Sequence, residues 1–115
     1  GMHWFNPPER MTLVEVIRAL QTSDDTLART EALARACGKT TVVVQDRQGF
    51  VTTRAVAALL LEGVRMLEDG VASPKDIDTA VKLGLNHPMG PLELADYVGL
   101  DTLLYIAESM TEAFG

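Results

Sequence analysis

A histidine stands at position 3 of this chain, ahead of Trp4-Phe5-Asn6-Pro7-Pro8, and an acid, Glu15, sits inside the apolar run Leu13-Val14-Glu15-Val16-Ile17. Imidazole and carboxylate are the side chains proteins use most often to move protons near neutral pH. Each also has a plainer reading. A single histidine is usually a surface or locally satisfied residue, and a glutamate in a strand usually turns its carboxylate to water. The remaining reactive types carry less. His87, in Asn86-His87-Pro88-Met89-Gly90-Pro91, reads as a loop residue, and Gly90-Pro91 as a helix-entry turn in which proline presets the backbone. Cys37 reads as a small core residue on an apolar helical face, and Trp4 and Phe5 as packing groups.

The elements that must position these residues change character along the chain. Residues 2–5 and 13–17 read as strands separated by the Asn6-Pro7-Pro8 turn. Ser23 is an N-cap followed by Asp24 and Asp25 in a first turn, and Leu27, Leu33, Ala34 and Cys37 give that helix an apolar face before Gly38 ends it. Residues 40–45 (TTVVVQ) form a third strand. Everything beyond is helical: 50–68, apolar around most of its circumference; a helix opened by Ser73-Pro74 and ending near Leu83; one opened by Gly90-Pro91 and ending near Val98; and, after Gly99, one capped by Asp101 and reaching Phe114. A helix as apolar as 50–68 must be covered on more than one side, by bundle neighbours or by a second subunit. The division falls near residue 47, and the α/β piece before it is too small to cover its own sheet.

Composition removes several function classes. With 16 acidic against 10 basic residues and a net charge of −6, the chain offers no field for a nucleic-acid backbone. One cysteine, Cys37, excludes an internal disulfide, and no apolar run approaches the ~18 residues of a membrane span. Without the charged and apolar regions of a signal peptide, the expectation is a cytoplasmic protein, one domain's worth of chain that gains from a partner.

Three ordered stretches together resemble the 3-hydroxyacyl-CoA dehydrogenase family: His3-Trp4-Phe5-Asn6-Pro7 with Leu13-Val14-Glu15-Val16; Gly49-Phe50-Val51 with Arg54; and Ala72-Ser73-Pro74, Asp76-Ile77-Asp78, Pro88-Met89-Gly90-Pro91, Leu94-Ala95-Asp96 and Gly99-Leu100-Asp101. The resemblance spans nearly the whole chain. It implies a mainly α fold, a helical C-terminal domain of the 6-phosphogluconate dehydrogenase C-terminal-like kind at 48–115, preceded at 1–47 by a small α/β remnant of a Rossmann domain. It implies NAD-dependent oxidation of 3-hydroxyacyl-CoA to 3-oxoacyl-CoA in fatty-acid metabolism, by a homodimer. His3 takes the part of the general base, and Glu15 that of the acid which hydrogen-bonds the imidazole, fixing its tautomer and stabilising the imidazolium. Asn6 is implied to shape the substrate site.

Two departures stand out. Gln48 replaces the family's proline, and Thr53 replaces a site asparagine, with a hydroxyl in place of an amide's separate donor and acceptor. No GxGxxG fingerprint occurs, so a nucleotide-binding domain is expected in cis or in trans. The alternative from another class is a non-catalytic helical module for dimerisation or acyl-CoA binding.

Overall fold

The computed structural model describes residues 1–115 and divides them into two compact units, Gly1–Phe50 and Val51–Gly115. The first holds β1 (Met2–His3), β2 (Leu13–Arg18), α1 (Asp24–Ala36) and β3 (Thr40–Gln45). Its three strands lie in the order β1-β2-β3. β1 runs antiparallel to β2, and β2 parallel to β3. A parallel pair cannot be closed by a tight turn, and α1 supplies the crossover. The Ser23 side chain accepts a hydrogen bond from the Thr26 amide at 3.1 Å, and Asp24 and Asp25 occupy the first turn, where the helix dipole favours negative charge. Alternation along β2 places Val14 and Val16 on one face, where they form a core with Ala34, Met2 and Leu27, and turns Glu15 to the other.

Local details depart from the sequence expectation. β1 stops at His3 instead of Phe5, because Pro7 and Pro8 have no amide to continue a ladder and residues 7–11 close a turn through the amides of Arg10 and Met11, both donating to the Pro7 carbonyl at 3.0 Å. Cys37 is not a core residue. It is the exposed C-cap of α1, its amide donating to the carbonyls of Leu33 and Ala34.

The second unit is helical: α2 (Thr52–Glu68), α3 (Pro74–Gly84), α4 (Pro91–Val98) and α5 (Leu100–Phe114). α2 is the longest at 17 residues and packs against each of the other three, which answers the demand of its apolar circumference. Leu60, Ala95 and Leu103 form the core, lined by Val56, Leu61 and Leu94. Gly63 brings α2 close to α4, for a Cβ at that position would lie 2.9 Å from Cβ of Pro91. α2 begins at Thr52 and not at 50, since Gly49 (φ 77°) and Phe50 (φ 46°) both adopt left-handed backbone conformations that a right-handed helix excludes. At the other end of the unit, Gly99 (φ 102°) is the residue before α5, and Asp101 falls in the first turn instead of capping it. No helix is long and apolar enough to cross a membrane.

Candidate active site

β1 and β2 set His3 directly opposite Glu15. Cross-strand partners have Cβ atoms ~4.5–5.5 Å apart, within reach of an imidazole and a carboxylate. His3 Nδ1 lies 2.7 Å from Glu15 Oε1, a bond of charge-assisted length. A slip of one residue in register would move Glu15 to the opposite face, so the pairing depends on the same alternation that buries Val14 and Val16. Glu15 is fully buried, whereas the His3 side chain keeps 30% of its surface. The pair is thus anchored at its carboxylate and open at its imidazole.

Two aromatic rings fix the imidazole further. Phe5 packs against it with ring centroids 4.6 Å apart, and Phe50 at 5.6 Å, both tilted. Phe5 follows the packing role its sequence suggests. The contribution of Phe50 is a tertiary one, since nothing in Gly49-Phe50 announces a turn that returns the ring to a residue so far back in the chain. Asn6 stands exposed in the loop just after β1, three residues beyond His3. Thr53 is half-buried in the first turn of α2, in the helical unit.

The helical unit carries a groove of about 670 Å³ lined by Thr52, Ala55, Val56, Leu59, His87, Pro88, Met89, Leu94 and Tyr97. His87 does lie in the loop between α3 and α4, half-buried in this wall. α4 itself is held by a residue that sequence reasoning passed over. Its N-cap, Gly90, has no side chain, and the Asp78 carboxylate accepts the amide hydrogens of Leu92 (2.8 Å) and Glu93 (3.1 Å) from across the unit. Gly90 is required there, since a Cβ would collide with Asp78. The signal was available: an N-terminus capped by glycine leaves orphan amides that some acid must satisfy.

The family model described as "3-hydroxyacyl-CoA dehydrogenase, C-terminal domain" matches residues 49–115, and the one described as "3-hydroxyacyl-CoA dehydrogenase, NAD binding domain" matches residues 1–47. The chain belongs to the 3-hydroxyacyl-CoA dehydrogenase family. It is 49% identical to a 3-hydroxybutyryl-CoA dehydrogenase of Mycobacterium tuberculosis, covering 99% of this chain and 40% of that protein. It is 46% identical to human mitochondrial hydroxyacyl-coenzyme A dehydrogenase, covering 97% of this chain and 36% of the relative. Among solved structures, (S)-3-hydroxybutyryl-CoA dehydrogenase from Ralstonia eutropha superposes with a TM-score of 0.96 at 49% identity, over 99% of this chain and 40% of that one. The chain therefore spans about 40% of the length of such family members.

The family's nucleotide can be tested against the residues present. β2-α1-β3 is a parallel βαβ unit, the arrangement in which dinucleotide folds bring a glycine-rich turn to the pyrophosphate. Here the turn is Ala19-Leu20-Gln21-Thr22-Ser23, without a glycine, and Asp24 and Asp25 stand at the helix entrance where a phosphate would need positive potential. This βαβ unit does not fit a dinucleotide phosphate.

Proposed function

We propose that this chain is the C-terminal portion of a 3-hydroxyacyl-CoA dehydrogenase that oxidises 3-hydroxyacyl-CoA to 3-oxoacyl-CoA in the cytoplasm, as part of fatty-acid metabolism. Residues 1–47 end the nucleotide-binding domain, and 48–115 form the helical domain. A nucleotide-binding domain joined to, or assembled with, this chain would hold NAD, which would supply the hydride acceptor. The observation that carries the reading is the 2.7 Å bond between an open imidazole and a fully buried carboxylate. Glu15 accepts from His3 Nδ1–H and so leaves Nε2 as the basic nitrogen. Nε2 takes the proton of the 3-hydroxyl as C3 loses its hydride, and Glu15 stabilises the imidazolium that results. Asn6 and Thr53 orient the substrate, the threonine with a single hydroxyl where the family's asparagine offers an amide. The helical unit supplies pocket walls and the contact between two copies.

Turnover of 3-hydroxybutyryl-CoA by the chain supplied with a matching nucleotide-binding domain tests this reading. His3→Gln removes the base, and Glu15→Gln leaves a neutral amide that holds the imidazolium less well; both variants should be slow. Full activity in His3→Gln would end the assignment. The second reading, a non-catalytic module that binds acyl-CoA or pairs with a second copy, draws on the apolar groove beside α2 and on Thr53. Acyl-CoA binding without any turnover in the assembled protein would favour it.

A further inference from the structure

Lys39 is a residue that neither the motifs nor the proposed chemistry uses, yet its ammonium is placed with care. It lies in the link between α1 and β3, immediately before Thr40, and its Nζ donates to two backbone carbonyls of the loop after His3: Pro8 O at 2.5 Å and Met11 O at 2.7 Å, across 31 and 28 residues of sequence. The same Nζ stands 5.9 Å from the ring centroid of Trp4, at the other end of that loop. The Lys39 backbone is tied down in turn, its amide donating to the Ala34 carbonyl at 3.1 Å, and the next amide, of Thr40, donates to Thr12 O at 2.7 Å. A lysine at a turn is normally a solvated surface group. Here one cation satisfies carbonyls that the 7–11 turn leaves without a partner in a ladder, and charged donors make the stronger class of hydrogen bond.

The loop so clamped contains Phe5, packed on the His3 imidazole, and Asn6. β1 ends at His3, so strand pairing holds the histidine backbone but not the residues beyond it. We propose that Lys39 is a positioning residue: it fixes the loop 4–11 from the β3 side and thereby sets Phe5 against the imidazole. Its importance to catalysis rests on the reading of His3 as the base. The clamp itself does not.

The test uses the 115-residue chain and nitrogen-15 NMR. In the unaltered protein the Lys39 ammonium protons should exchange with solvent about tenfold or more slowly than those of Lys75 and Lys82, which are exposed on α3. Lys39→Met, which keeps the stem and removes the donors, should speed exchange of the Arg10 and Met11 amides by about tenfold and change the Phe5 ring-current shift on the His3 imidazole protons, while the Nδ1 signal bonded to Glu15 and the protection of α1 persist. Lys39→Arg should restore both. Equal ammonium exchange among the three lysines overturns the clamp, and that measurement needs no variant to fold. An unchanged His3 ring-current shift in Lys39→Met, or loss of α1 protection that Lys39→Arg does not repair, overturns the positioning role. In the assembled enzyme Lys39→Met should lower kcat about tenfold with recovery in Lys39→Arg. If His3→Gln proves fully active while the NMR outcomes hold, the base assignment fails and the clamp stands.

Discussion

The two units place different chemistry at their most buried positions. In the α/β unit the large side chains with essentially no exposure are Val14, Glu15 and Val16; in the helical unit they are Leu60 and Pro91. The helical unit buries apolar groups and gains their full transfer free energy, about 1.5–3 kcal/mol for a leucine. The α/β unit, whose core cluster is Val14, Val16 and Ala34, devotes the position between Val14 and Val16 to a carboxylate bonded to His3. A buried charge without its partner costs more than the pair contributes. The difference locates precision in the one unit and packing strength in the other.

That contrast can be broken or sharpened by substitution. The largest effect is expected from His3→Gln in the assembled enzyme, a loss of roughly 10²–10⁴-fold in kcat, with the circular dichroism of the chain unchanged. A loss matched by unfolding would make the pair structural and erase the contrast. Leu60→Ala should instead cost about 2–5 kcal/mol of stability, read from the urea midpoint, with amide exchange rising in α2, α4 and α5, because the core it shares with Ala95 and Leu103 cannot collapse fully around the void. A cost below ~1 kcal/mol would show that the groove side of α2 absorbs the change. Asp78→Ala should remove about 0.5–2 kcal/mol by stripping the cap from α4, and exchange of the Leu92 and Glu93 amides would report it directly. The smallest effect is expected from Thr53→Asn: a rise of roughly severalfold in turnover of the assembled enzyme, through better orientation of the substrate. A fall would assign Thr53 a role that its hydroxyl alone fills.

Local signals were legible because their physics is local. Ser23 and Ser73 each cap a helix through a bond to the amide three residues on, and Pro74 and Pro91 sit at helix entrances as their fixed φ requires. The apolar circumference of 50–68 announced a central helix, and the α/β-to-helical change of character is visible in composition alone. Sequence misplaced what depends on a specific backbone conformation. Phe50 lies outside α2 because of its positive φ, Asp101 yields the start of α5 to Gly99, and Cys37, apolar by pattern, is exposed because α1 ends one residue earlier.

By itself the sequence determined the family, the order of the elements and the identity of the residues able to exchange protons, since each rests on residue type and short spacing. The tertiary structure decided which of them meet. His3 reaches Glu15 only through the register of β1 on β2, Phe50 reaches the imidazole only through the left-handed turn at Gly49-Phe50, and Asp78 reaches the amides of α4 only where Gly90 lets the backbones close. Each of these is a contact between residues distant in sequence, whose formation depends on how whole elements pack, and no local propensity encodes that distance.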